Sequence, residues 1–342
     1  MGTSFLRRPI AVTMGEPAGI GGEITLKAWA SRRDDTPPFF VIDDAARLKA
    51  IALRFGIDCP IIAIHTPDEV AAAFRTALPV LPLAQKIEDA VTLGTPSPET
   101  GTAVIASITQ AVDLVRAGAA SAVTTNPLQK SILRPDEFPY PGHTEYLGYL
   151  AGGASPVMML AVDGLRVVPV TVHVAIKDVA RTLTTEAIVH CGRVTASALR
   201  GDFGIQTPRL AIAALNPHAG EQGRMGDEET RIIMPAAEQL RTEGISVFGP
   251  APADTLFHAN ARREFDAALC MYHDQALIPL KTIDFAGGVN ITLGLPFVRT
   301  SPDHGTACDI AAKGIADPSS LLAALRMAHA IATHRAEALQ NE

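Results

Sequence analysis

Ala267-Ala268-Leu269-Cys270-Met271-Tyr272-His273-Asp274-Gln275 is the stretch on which the fold turns. Its apolar run, residues 267–271, has the length and composition of a buried strand. It delivers His273 and Asp274 at its end, where open α/β sheets carry their chemistry. Lys281, Asn290 and Arg299 follow, two cations and an amide, and then the Gly-rich turn at His304-Gly305. A ligand-type histidine, a cation cluster and such a turn, so close together, point to a site for a small anionic, phosphorylated molecule.

Upstream, two runs repeat the arrangement. The β-branched segment 165–174 ends with His173, and the segment 209–215 leads into Asn216-Pro217-His218-Ala219-Gly220-Glu221. Three expected strands, 167–172, 210–215 and 267–271, therefore each carry a histidine at or just past the carboxyl end. A single histidine is more often packed or on the surface than a ligand. Three at equivalent strand ends gather on one rim, where imidazole nitrogens can converge on a divalent metal. Three neutral nitrogens leave coordination positions open and suit Zn²⁺, Co²⁺ or another borderline ion better than Ca²⁺. The expectation requires strands distant in sequence to be neighbours in the sheet.

The rest of the chain alternates strands and helices. Strands are expected at 9–14, 39–42, 61–64 and 121–125, and helices at 45–55, 67–78 and 100–117. A length of 342 residues suits two α/β domains or one large doubly wound one, and two lobes are expected. Between the first strand and a helix beginning near Glu23 lies Gly15-Glu16-Pro17-Ala18-Gly19-Ile20-Gly21-Gly22. This loop reads equally as a structural turn or a phosphate cradle. It does not fit G-x-G-x-x-G and lacks the Lys-Ser/Thr pair of a nucleotide P-loop. Thr124-Thr125-Asn126 ends a strand with polar groups suited to a cleft. Two prolines and Gly142 place His143 and Thr144 where a helix begins, free to grip an anion, or with Thr144 as a simple N-cap. Helices at 185–199 and 227–244 and a strand at 245–248 lead to Asp254, at a helix start, as an N-cap or a carboxylate facing the metal. In the run 301–318 one glycine turn opens a short helix and a second closes it. Asp309 there can accept hydrogen bonds from two ribose hydroxyls and repels a 2′-phosphate, which favours NAD over NADP. The chain ends in an amphipathic helix.

Composition excludes several function classes. The net charge is -7 with Lys and Arg scattered, so no basic face exists to track nucleic acid or anionic lipid. Four cysteines lie far apart with no C-x-x-C pair, as in a reduced cytoplasmic protein. No apolar run approaches membrane-spanning length, and Arg7-Arg8 are not followed by the apolar core of a secretion signal.

Across nearly its whole length the chain resembles the 4-hydroxythreonine-4-phosphate dehydrogenase (PdxA) family. The likeness rests on residues 14–21, Pro141-Gly142-His143-Thr144-Glu145, Asn216-Pro217-His218-Ala219-Gly220-Glu221, Met271-Tyr272-His273-Asp274-Gln275 and Asp303-His304-Gly305-Thr306-Ala307. The resemblance implies a two-domain isocitrate/isopropylmalate dehydrogenase-like α/β fold, with domains at about 1–125 plus 295–342 and 126–294. It implies an active site in the interdomain cleft at the interface of a homodimer, where one subunit lends a metal histidine to the other. It further implies a divalent metal (Zn²⁺, Co²⁺ or Mg²⁺) on His173, His218 and His273, and substrate contacts at His143, Thr144, Lys281, Asn290 and Arg299. NAD or NADP would bind at His304, Gly305, Thr306, Ala307 and Asp309. The implied reaction is oxidation of 4-phosphohydroxy-L-threonine followed by loss of CO₂, with Lys281 and Asp254 as candidates for proton transfer. Relatives that act on four-carbon sugar-acid phosphates or on aromatic cis-dihydrodiols, and a nicotinamide-free lyase or hydrolase, are the alternatives. The His143-Thr144 pair speaks for a phosphorylated substrate, and the 304–317 loop for a nicotinamide. Near Leu128-Gln129-Lys130 the chain departs from the family's commonest pattern, which bears on substrate identity and not on fold.

Overall fold

The structure is a computed structural model that describes residues 8–84, 87, 91–133, 138–140 and 142–341. The chain opens with strand β1 (Ile10–Thr13), fully buried, then helix α1 (Gly21–Ala30) and strand β2 (Phe39–Asp43). Asp44 caps α2 (Ala45–Phe55), its carboxylate accepting from the Ala46 and Arg47 amides. Strand β3 (Ile61–Ala63) is largely exposed, against the buried strand expected there, because it is the edge of its sheet. The helix expected at 67–78 is a 3₁₀ turn and the single turn α3 (Val70–Ala73), and it gives way to a further strand, β4 (Leu78–Pro82). Two prolines in Leu78-Pro79-Val80-Leu81-Pro82 conceal that strand from a sequence reading.

Helix α4 (Gly101–Arg116), strand β5 (Ala122–Thr124) and helix α5 (His143–Leu150) follow. A hairpin of β6 (Val157–Val162) and β7 (Leu165–Thr171) then leads to α6 (Ile176–Thr182) and α7 (Thr185–Gly201). After β8 (Arg209–Ala213), a π turn at Glu229–Ile233 runs into α8 (Met234–Thr242) and β9 (Ser246–Ala251). The short α9 (Ala253–Leu256) precedes β10 (Ala267–Tyr272) and α10 (His273–Ile283), which begins with no intervening residue. Strands β11 (Val289–Leu293) and β12 (Arg299–Pro302) and the helix α11 (Ser319–Asn341) complete the chain.

Contacts divide the chain into two units, 1–156 with 295–342, and 157–294. The first holds strands in the order β3-β4-β2-β1-β5-β12. Its register aligns Ile10 with Phe39 and with Ala122, all buried. Residues 126–156 belong to this unit rather than to the second domain expected from the sequence. Their helix α5 is tied to α4 through a 2.7 Å hydrogen bond between the Tyr146 and Thr109 hydroxyls, and Arg116 donates to the Leu150 carbonyl. The second unit holds β11-β6-β7-β10-β8-β9. A core of Leu160, Val167, Ala211, Ala268, Cys270 and Leu280 packs there, with each of its Leu and Val side chains contributing about 1.5–3 kcal/mol through burial.

Candidate functional site

In the second unit, β7, β10 and β8 are adjacent and parallel, with Ala268 opposite both Val167 and Ala211. The three histidine-bearing strands are thus neighbours, and their carboxyl ends share one rim. Side chains stitch that rim together. The Thr171 hydroxyl donates to the Met271 carbonyl at 2.7 Å, joining the ends of β7 and β10. Gln275 accepts from the Met271 amide at 2.6 Å and donates to the Ala214 carbonyl at 2.7 Å, joining β10 to β8.

His273 is the first residue of α10, and its Nδ1 lies 2.7 Å from the Asp274 carboxylate. A carboxylate there holds the proton on Nδ1 and leaves the Nε2 lone pair available to a metal. The His173 ring lies 6.2 Å from that of His273, beside a cavity of about 340 Å³ lined also by Val172, Ile176, Val179 and Tyr272. His218 is exposed on the loop after β8. The structure brings His173 and His273 together, and among the described residues no group of three His, Cys, Asp or Glu side chains is close enough to hold a metal. Imidazoles on one rim, one of them oriented by a carboxylate, fit a borderline divalent ion as a donor set. Asp254 is exposed on α9, whose N-cap is Pro252, so the capping role is ruled out; among the described residues no contact ties it to the histidines.

Of the anion-binding candidates, His143, Thr144 and Arg299 lie in the first unit. Gly142 is the N-cap of α5, so Thr144 is not a cap and its hydroxyl is not spent on one. His143 Nε2 is buried with no hydrogen-bond partner among the described residues. Burial, and then the charge of Arg299, hold the imidazole well below its ordinary range, so it is neutral at pH 7. Arg299 is only 4% exposed, and burial pushes its guanidinium down to about 10, which still leaves it a cation. It donates to the Thr125 hydroxyl at 2.6 Å. Thr124, Thr125 and Asn126 are buried rather than open to a cleft. Thr124 bonds Thr300, and the Asn126 amide donates to the Thr13 carbonyl and the Thr25 hydroxyl. In the second unit, the Lys281 ammonium sits 5.0 Å over the Phe285 ring, and the buried Asn290 Oδ1 has no partner among the described residues. Buried polar atoms without partners are uncommon in finished structures, and a polar ligand would satisfy them.

The cofactor candidates lie on a loop of the first unit. No helix forms at 304–317, because left-handed backbone at Ala307 (φ 45) and Gly314 (φ 67) confines the segment to isolated turns. The Thr306 carbonyl accepts from the Ile20 amide at 3.0 Å, and a Cβ on Gly19 would lie 2.8 Å from that oxygen. Gly19 thus serves as close packing under the 304–309 loop, while Gly15 and Gly21 allow close approach to Asn126. Farther along, Glu23 accepts from the Ala316 amide, while Lys27 donates to the carbonyls of Gly314 and Ala316. Held at both ends, the loop leaves Asp309 exposed and open space at Gly305, as a ribose and a phosphate require. His304 Nδ1 faces the Gly305 carbonyl, and its Nε2 is buried without a partner among the described residues. A separate cavity of about 320 Å³ by Pro17, Arg47, Arg54 and Leu93 contains none of these residues.

Sequence reasoning passed over Thr171 and Glu229 and gave Gln275 no role of its own, and these buried polar side chains help to hold the candidates in place. For Thr171 and Gln275 the sequence signal is a polar residue beside a histidine-bearing strand end; Glu229 carries no such signal.

Comparison with known proteins matches residues 35–328 to the family described as pyridoxal phosphate biosynthetic protein PdxA. A 4-hydroxythreonine-4-phosphate dehydrogenase of Methylorubrum extorquens is 52% identical, covering 96% of this chain and 95% of the relative. That of Caulobacter vibrioides is 52% identical, covering 96% and 98%. A crystal structure of 4-hydroxythreonine-4-phosphate dehydrogenase from Klebsiella pneumoniae superposes with a TM-score of 0.86 at 39% identity, covering 95% of this chain and 99% of the other.

Proposed function

The chain belongs to the PdxA family, and from that premise we propose that it uses NAD and a divalent metal to oxidise the C3 hydroxyl of 4-phosphohydroxy-L-threonine. The product is a β-keto acid, 2-amino-3-oxo-4-phosphooxybutanoate, which loses CO₂ to leave 3-amino-2-oxopropyl phosphate. The broader role follows from the family: an oxidoreductase of pyridoxal phosphate biosynthesis that works with a nicotinamide cofactor on a small phosphorylated substrate.

What carries the proposal is the adjacency of β7, β10 and β8, each followed by a histidine. His173, His218 and His273 would hold Zn²⁺, Co²⁺ or Mg²⁺, with Asp274 fixing the His273 tautomer. When bound, the metal supplies Lewis acidity at the hydroxyl oxygen and the nicotinamide supplies the hydride acceptor. Asp309 takes the ribose hydroxyls and disfavours NADP. His143, Thr144, Arg299, Lys281 and Asn290 hold the phosphate and carboxylate, and Arg299 arrives preset by Thr125. Lys281 and Asp254 are assigned to proton transfer, with the Lys281 charge stabilising the enolate left by CO₂. A homodimer in which one subunit lends a histidine completes the ligand set.

The test is NADH formation by chelator-stripped protein on 4-phosphohydroxy-L-threonine, before and after adding Zn²⁺, Co²⁺ or Mg²⁺, with CO₂ trapped. Metal-restored turnover with CO₂ release is expected. Binding of NAD and metal without turnover moves the substrate to a four-carbon sugar-acid phosphate, and failure of NAD to bind revives a lyase.

A further inference from the structure

We propose that Glu229 is a positioning residue for His218, a carboxylate that clamps the start of the His218 loop and fixes the direction of its imidazole. This inference rests on the reading of His218 as a metal ligand. Residues 218–222 all have left-handed backbone, His218 at φ 54 and ψ 30, Ala219 at 54 and 42, Gly220 at 74 and -3, Glu221 at 42 and 54, and Gln222 at 59 and 35. Four of the five carry a Cβ, and each is disfavoured in that region. Such a run persists only where its surroundings over-determine it, and runs of this kind cluster at functional sites.

The surroundings here centre on Glu229, which is 3% exposed. Its Oε1 accepts from the Leu215 amide at 2.9 Å and the Asn216 amide at 2.7 Å, three and two residues before His218. Its Oε2 accepts from the Asn216 side-chain amide at 3.0 Å, which also donates to Glu228 at 2.7 Å. Past the histidine the same carboxylate sets the spacing: a Cβ on Gly220 would lie 2.6 Å from Glu229 Oε2. The carboxylate therefore touches the chain on both sides of His218 without touching the imidazole. Glu229 begins the π turn, whose extra residue per turn changes the helix face on which a side chain lies. Such turns recur at functional sites.

The experiment compares the full-length protein with Glu229→Gln, Glu229→Ala and His218→Ala. Its readouts are Co²⁺ affinity and visible ligand-field bands, NAD affinity and circular dichroism. Glu229→Gln keeps the volume and one acceptor oxygen but sets an amide donor against the Asn216 amide. Losses from such supporting groups run to about 10- to 100-fold in metal affinity. Weakening of Co²⁺ binding in that range, with shifted bands, is expected for Glu229→Gln, while NAD affinity and the dichroism spectrum stay unchanged. A merely structural role would not move the bands. Wild-type Co²⁺ affinity and bands in Glu229→Gln, while His218→Ala has lost binding, would overturn the inference and leave the metal reading standing. Unchanged Co²⁺ binding in His218→Ala would overturn the metal reading and this inference with it. Should Glu229→Ala fail to fold, Glu229→Gln carries the comparison alone.

Discussion

His143 and Arg299 are adjacent basic groups taken out of water, and the Arg299 charge bears on His143. Burial and the Arg299 charge keep the imidazole neutral, while Arg299, at about 10, remains charged. A histidine whose folded pKa is depressed binds fewer protons in the folded chain than in the unfolded one, so protonation favours unfolding as pH falls below 6.5, its ordinary value. The penalty grows until the depressed folded value is reached. Glu16 and Asp43 act oppositely, since burial raises both carboxyls and acidification then favours the folded chain. Comparing two variants cancels their contribution. The urea midpoint of His143→Asn should therefore fall less between pH 7 and pH 5 than that of the unsubstituted protein, and equal falls would show that His143 is not the group responsible. In the proposed site, Arg299 would act on the substrate. Its hydrogen bonds to a charged group are worth about 1.5–3 kcal/mol, so Arg299→Ala should lower kcat/KM by roughly 10- to 100-fold, mostly through KM. Thr125→Val removes the acceptor at 2.6 Å but keeps the cation, and should produce a smaller loss in the same steady-state assay. A Thr125→Val loss as large as that of Arg299→Ala would mean that the hydroxyl itself meets the substrate.

Elements position these residues through buried polar stitches. Gln275→Ala would leave the Met271 amide and the Ala214 carbonyl unsatisfied, each at about 1–3 kcal/mol, for a loss of about 2–6 kcal/mol in urea unfolding. A loss below the error of that measurement would mean water takes over both groups. In the first unit, Gly19→Ala drives a Cβ toward Thr306, and overpacking of this kind costs about 1–3 kcal/mol. The 304–309 loop should shift, and titration should show weakened NAD binding with metal affinity unchanged. The same elements show what a sequence reading can reach. Strands β1, β2, β8 and β10 and helices α2, α4 and α7 lie within a few residues of expectation, because apolar runs bounded by Gly, Pro and capping residues are local signals. Strand β4 hides behind its prolines, and β6, Val-Met-Met-Leu-Ala-Val, lacks the β-branched density that marks its partner β7. The three histidines were legible one by one as strand-end residues. That β7, β10 and β8 are neighbours was not, because parallel pairing joins segments far apart in sequence. Thr124, Thr125 and Asn126 were misread as cleft groups for a similar reason: residue type announces polarity and says nothing of what lies on top.

At the scale of the whole molecule, the proposed metal site turns on whether one chain or two supplies the histidines. Within the described residues His173 and His273 approach each other and no third ligand joins them, which is the arrangement a lent histidine would complete. Subunit mixing separates the cases and identifies the donor. In a hybrid dimer of two single histidine variants, a shared site regains one intact copy only when one of the two substituted residues is the lent one. In that hybrid one site collects both defects and the other collects none. If the lent residue is unaltered in both chains, each site keeps one defect. Mixing His173→Ala, His218→Ala and His273→Ala in pairs, after denaturation and refolding together, should restore turnover in two of the three mixtures. The restored level should approach roughly one quarter of wild type, since half of the random dimers are hybrids and half of their sites are intact. The silent pair names the two histidines held by one chain, and the residue absent from it is the one lent. Silence in all three mixtures, with hybrid dimers verified by differential tagging, would place the whole ligand set in a single chain and remove the shared site from the proposal.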